Sequence, residues 1–286
     1  MPLSRSTNRN TFFYDATNPE VLLGGFRQNG SITEENFLFF LDILLVNLVD
    51  TVRVQARISS HIVTRTNTAL ETGAYDIYCD DRIQISREAW VRRLDSRSAV
   101  RRQNRFRDAI RDRDGGCVIS GHRNLAESIE AEDWVSYEAA HIFPLACGSI
   151  WNRRRYGRFI TDMPNSPQSE RIHSAQNGFL LRSYIHQRFD QYLISVNPDD
   201  GYKIVSFTMN DDGFDGRILD PVCRDTTNPH RVSDFLLRWH FRQSVLANMR
   251  GAGEPIMPHH PPRTDRVGGI PAGPYEQGRF ELEMAA

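Results

Sequence analysis

Lysine is nearly missing from this chain: Lys203 is the only lysine among 35 basic residues, and the rest are arginine. Two causes account for such a skew, a GC-rich coding bias or a supply of guanidinium groups for phosphate, so it serves only as support for the second. Cysteine is scarce as well. Cys79, Cys117, Cys147 and Cys223 stand far apart with no C-x-x-C pair, which argues against a secreted disulfide framework and against a four-cysteine zinc site. A reducing, intracellular compartment, nucleus or cytoplasm, is the expectation. Neither sign of charge dominates, and a net charge of -1 excludes a uniformly basic surface, so a polyanion would have to be held by a local patch. Long apolar runs are lacking too. The most apolar stretch, Phe37–Val49, is 13 residues long and broken by Asp42 and Asn47, too short and too polar to cross a bilayer. Met1–Asn10 holds arginines without an apolar segment of signal-peptide length.

What is present divides into segments. A chain of 286 residues has room for two domains, and we expect an α+β subdomain over 1–96, a larger domain over 97–250 and a Pro/Gly-rich, disordered tail over 251–286. His259-His260 in that tail reads as incidental. In the first segment, Asn10–Phe26 resembles strand and turn around Gly24-Gly25, and Ser31 and Thr33 ahead of Glu34 and Glu35 mark the capped start of a buried helix running to Val49. Arg53–Ile85 holds β-branched runs of uncertain state. In the second segment, Tyr192–Val196 and Tyr202–Thr208 flank Asn197-Pro198-Asp199-Asp200-Gly201 as a hairpin would, and Val232–Met249 has amphipathic helical spacing.

Arginine clusters twice. Arg87–Arg113 is helical in pattern, and within Arg97–Arg113 seven arginines against Asp108 and Asp112 give 7 - 2 = +5. That is either a solvated helix with internal ion pairs or a strip lying along a phosphate backbone, with Arg101 and Arg105 as the candidate contacts. The long connection Leu145–Gln176 repeats the pattern: Arg153, Arg154, Arg155, Arg158 and Arg171 interleave with Trp151, Tyr156 and Phe159. It reads either as an exposed insertion or as a strap whose arginines meet phosphates while its aromatics stack on bases.

The most informative stretch lies between these features. Tyr137–Ile142 is a short apolar strand that Pro144 must end, which puts His141 at a strand terminus beside a loop. Phe179–Leu181 is a second short strand, and Ser183–Tyr192 has helical spacing with Tyr184, Ile185, Phe189 and Tyr192 free to pack inward. On that helix His186 and Asp190 are four residues apart, so an imidazole and a carboxylate cover one patch, as a pair of divalent-metal ligands does. A plain surface charge pair has the same spacing.

His141-Ile142-Phe143-Pro144 resembles the H-I-x-P core of HNH endonucleases, and Asn177 followed nine residues later by His186 resembles the spacing from their central Asn to their last His. With Cys117-Val118-Ile119-Ser120-Gly121 ahead and His186-Gln187-Arg188-Phe189-Asp190 behind, the order resembles HNH-type domains common in filamentous fungi, over roughly Cys117–Val196. The resemblance implies a ββα-metal core. It implies His141 as the general base on water, Asn177 as the group that ties the loop and orients that base, and His186 with Asp190 as metal ligands. One divalent ion is implied, Mg²⁺ foremost with Mn²⁺ or Zn²⁺ as substitutes, and nucleic acid, DNA foremost, as substrate. A neutral imidazole with an ordinary pKa of roughly 6.5 suits the first role.

One position departs from the pattern. HNH domains usually carry Asp or His immediately before the base, and here it is Ala140. Glu138, on the same strand face, either reaches the metal itself or supports a ligand from outside. The departure leaves an alternative open, a catalytically degenerate HNH fold that binds nucleic acid without cutting it. Oligomeric state is not readable, and no membrane partner is expected.

Overall fold

In a computed structural model the chain is mixed helix and sheet, and the structure describes residues 4–46, 52–91, 93, 100–209 and 212–253. It folds as two compact units, one from Met1–Val91, Ser206–Asp215 and Arg242–Ala286, the other from Arg92–Val205 and Gly216–Phe241. Most of the expected tail, 254–286 with His259-His260, lies outside the described residues.

The first unit contains β1 (Thr11–Asp15), β2 (Asn18–Phe26), α1 (Glu34–Leu44), β3 (Leu45–Val46), β4 (Arg53–Ala56), β5 (Gly73–Tyr78) and β6 (Gln84–Ile85). Its sheet runs β2-β1-β5-β4, with β1 antiparallel to β2 and parallel to β5. α1 starts at its sequence signal because the Thr33 hydroxyl accepts the Asn36 amide while the Asn36 side chain accepts the Thr33 amide, both at 3.2 Å. It stops before the apolar run does. Leu45 and Val46 leave the helix to pair with Ile85 and Gln84, so apolarity there serves a strand, and residues 47–49 lie outside the described ones. The helix packs on the sheet through Phe13, Phe26, Phe37, Phe40 and Tyr75, rings 5.3 to 6.2 Å apart between centroids.

The second unit holds α2 (Val100–Asp114), α3 (Ala126–Glu130), β7 (Tyr137–His141), α4 (Gly148–Arg154), β8 (Gly178–Arg182), α5 (Ser183–Asp190) and β9 (Ile194–Asn197). β10 (Lys203–Ser206), α6 (Pro221–Arg224) and α7 (Asp234–Met249) follow, with Ser206 and the residues after Phe241 belonging to the first unit. β7 and β8 pair antiparallel and run directly into α5, so the order strand, loop, strand, helix forms one ββα element. β9 and β10 pair as the expected hairpin.

Two sequence expectations need correction. Residues 87–91 and 93 are not helical, and α2 is described over Val100–Asp114; the polar Arg87–Arg113 pattern carries little apolar periodicity before Phe106 to hold a helix against a core. The connection Leu145–Gln176 is not an exposed strap of aromatics. It folds into α4 and short 3-10 turns, with Trp151 and Tyr156 buried around Phe143 and Phe159 stacked on Phe235 at 3.5 Å. Trp151 and Tyr156 form core and Phe159 is half-buried with one face on Phe235, which removes the first two as base-stacking platforms.

Candidate active site

His141 ends β7, with Gly178 as its partner on β8. Its ring stacks on Phe106 of α2 at 3.7 Å and 12°. That stack needs the glycine opposite, since a Cβ on Gly178 would sit 2.4 Å from the Phe106 ring and 2.5 Å from the Ala140 carbonyl. Among the described residues the buried Nε2 of His141 has no hydrogen-bond partner, a cost of about 1–3 kcal/mol that a water would relieve. Burial, then the neighbouring His173, Arg93 and His186, holds the imidazole well below its ordinary 6.5. It is therefore neutral near pH 7, with its hold on a proton weakened by the same burial.

Asn177 fixes the turn that follows. Fully buried, its Oδ1 accepts the Phe143 amide at 2.8 Å, and its Nδ2 donates to the carbonyls of Phe143 at 3.2 Å and Ile172 at 2.8 Å. Its own carbonyl accepts the Ile142 amide at 2.9 Å. The side chain touches only backbone, so it holds the loop after His141 without reaching a reacting atom.

On α5, one imidazole lies between two carboxylates. His186 Nδ1 meets Glu138 Oε2 at 2.6 Å, and His186 Nε2 meets Asp190 Oδ2 at 3.3 Å. Two ligands of one ion, each at roughly 2.0–2.2 Å from it, stand about 3 Å apart, so the His186–Asp190 spacing accommodates a cation between them. Glu138 on the far nitrogen then fixes the tautomer, as a carboxylate behind a metal-bound histidine does. Among the described residues no group of three His, Cys, Asp or Glu side chains is disposed to hold a metal. The donors therefore offer an ion two protein positions and not a protein-built cage. Cys117 is a buried free thiol in a turn, away from any zinc chemistry.

The candidate phosphate contacts are spread out. Arg105 is exposed on α2, while Arg101 lies in its first turn with its side chain outside the described ones. Arg153 and Arg154 close α4, and Arg155 follows in the left-handed region at φ 54°. Other arginines of both clusters are committed to the fold. Arg113 pairs with Asp114 at 2.6 Å and donates to the carbonyls of Ala175, Gly178 and His230, and Arg171 donates to those of Gly157, Ile160, Pro164 and Ser166.

Sequence reasoning missed Arg93, His173 and Phe106. Arg93 pairs with Asp190 at 2.9 Å, and the His173 ring meets that of His141 edge-on at 6.3 Å. Neither belongs to a periodic pattern, and only the fold brings them to His141. Phe106 had a faint signal as the lone aromatic residue in a charged helix.

A family described as HNH endonuclease matches residues 117–197, and a family described as a domain of unknown function matches residues 8–84. No curated protein and no solved structure matches the chain. Among the described residues no helix is long and apolar enough to cross a membrane. The HNH match begins at the turn of Cys117, takes in β7, β8 and α5, and ends with β9. The chain thus carries an HNH domain over residues 117–197, and that domain ties it to nucleases and nucleic-acid binding.

Proposed function

We propose that this protein is a metal-dependent endonuclease that hydrolyses phosphodiester bonds, with DNA as its substrate. The observation that carries this reading is that His141, at the end of β7, shares one ββα element with the Glu138–His186–Asp190 series, Glu138 standing on the same strand. His141 takes the proton of the attacking water, a role worth on the order of 10² to 10⁴ in rate. Asn177 keeps the His141 turn in place through backbone hydrogen bonds. His186 and Asp190 would hold one divalent ion, Mg²⁺ foremost with Mn²⁺ or Zn²⁺ as substitutes, and the ion would supply charge neutralisation at the phosphate and leaving oxygen. Glu138 orients His186. Arg101, Arg105, Arg153, Arg154 and Arg155 bind phosphates along the backbone. The division of labour is by segment: chemistry in 97–250, no assigned role for 1–96, and an appended tail in 251–286. Four unpaired thiols accord with a reducing, intracellular compartment.

The test is nicking of supercoiled plasmid with Mg²⁺ or Mn²⁺. Wild type nicks, chelation abolishes nicking, and His141→Ala loses about 10² to 10⁴ in rate. An equally active His141→Ala variant would remove the mechanism.

Ala140 and the two-ligand site favour a second reading, an HNH fold that binds nucleic acid but does not cut. Salt-sensitive binding without cleavage in any divalent metal decides for it.

A further inference from the structure

Arg93 lies outside residues 117–197, yet it joins the two sides of the candidate site. Its side chain is only 5% exposed, and its Nε stands 2.9 Å from Asp190 Oδ1. Nη1 donates to the carbonyl of Ile142 at 2.6 Å, and Nη2 donates to the carbonyl of His141. The guanidinium also lies 5.3 Å from the Phe189 ring centroid and 6.0 Å from that of Tyr192, which shields these contacts from water. One planar cation thus grips the end of β7, where the base sits, and the end of α5, where the carboxylate sits.

That commitment limits what Arg93 can do. Its Nη1 and Nη2 donate to the chain's own carbonyls, and its charge stands beside Asp190 as an ion pair without an aligned hydrogen bond, so it is not placed to clamp a phosphate. A lysine could not replace it, because three donors radiating from one nitrogen do not span two carbonyls and a carboxylate as a rigid fork does. The ion pair on Oδ1 leaves Oδ2 turned to His186. The bonds to the His141 and Ile142 carbonyls set the backbone from which the imidazole projects.

We propose that Arg93 is a positioning residue for the reaction above, fixing the separation between His141 and Asp190; this inference rests on the nuclease reading. A residue that served only the fold would weaken stability and leave the chemical step alone.

The experiment compares Arg93→Ala, Arg93→Gln and Arg93→Lys with wild type in kcat and KM on a plasmid substrate, using full-length protein. Arg93→Ala is expected to lose about 10- to 100-fold in kcat, as misplacement of reacting groups by an ångström does, with KM within about twofold. Millimolar guanidinium restores part of the lost rate, and Arg93→Lys stays low. Arg171→Ala, which removes an arginine that staples only loop carbonyls, loses stability without a kcat change that guanidinium restores. Wild-type kcat in a folded Arg93 variant, or a loss indifferent to guanidinium, overturns the proposal. Should Arg93→Ala fail to fold, Arg93→Gln carries the same comparison. A second readout does not depend on cleavage: at fixed pH, imidazole ¹⁵N signals of His141 and His186 shift in Arg93→Gln while that of His61, which bonds Glu34 at 2.6 Å in the first unit, does not. Unmoved His141 and His186 signals refute the clamp, whereas a wild type that cleaves nothing while those signals shift refutes only the nuclease reading.

Discussion

Every polar atom of the Asn177 side chain is used on backbone: one amide and two carbonyls from two separate turns depend on it. Asn177→Ala therefore strands three buried groups, each costing about 1–3 kcal/mol when left unmade. Partial relaxation brings the expected loss to about 2–4 kcal/mol, read as a lower urea midpoint with an unchanged slope. Cleavage should fall with it even where the protein is fully folded, because Phe143, two residues after His141, then loses both of its bonds to the Asn177 side chain. At this scale the sequence was informative wherever a role follows from chain proximity. His141 ahead of Pro144, and His186 four residues before Asp190, could be placed on their elements by spacing alone. Arg93 and His173 could not, since nothing local distinguishes them from other arginines and histidines, and their relation to His141 exists only once distant segments fold together.

Among elements, α2 matters less for its exposed arginines than for how it ends. Its last residue, Asp114, is fully buried and accepts the Leu180 amide of β8 at 2.7 Å while pairing with Arg113, whose side chain is 3% exposed. Arg113 in turn donates to the Gly178 carbonyl, so one ion pair seats β8 against the helix beneath His141. Asp114→Asn keeps an acceptor for Leu180 but leaves a buried guanidinium without its counter-charge. The expected loss is about 3–5 kcal/mol, against under about 1 kcal/mol for Asp108→Asn, whose pair with Arg107 is exposed. Equal urea midpoints for the two variants would contradict this account. The +5 charge of the arginine run was visible beforehand, but charge counting does not separate the arginine that faces water from the one that faces a buried Asp. The same ambiguity hid the end of α1, where an apolar run continues through a helix into a strand, and the fold of Leu145–Gln176, whose aromatics are as suited to a core as to a base. Helix α1's start was legible because a capping box is a local hydrogen-bond pattern that the tertiary fold does not have to supply.

For the molecule as a whole, the buried histidines set how stability responds to acid. His240 on α7 is fully buried, stacked on Phe189 at 3.7 Å, with Nε2 donating to the Phe189 carbonyl at 3.1 Å and Nδ1 accepting from the Ser195 hydroxyl at 2.8 Å. Burial, then the charge of Arg93, depresses its pKa well below 6.5, and the hydrogen bond to Phe189 only partly opposes them. His141 is depressed in the same direction. A depressed folded value means that the unfolded chain binds protons the folded protein refuses. The stabilisation is therefore complete above the unfolded value near 6.5 and is lost as pH falls through and below it. Each such proton contributes a slope of about 1.4 kcal/mol per pH unit, so urea midpoints measured from pH 7.5 down to 5 should fall steeply, with most of the change below 6.5. In His240→Phe, which keeps the stack on Phe189 and cannot be protonated, the slope should diminish by about one proton. A variant that melts with the wild-type pH slope would show that His240 titrates normally and that its burial does not govern the acid limit of this fold.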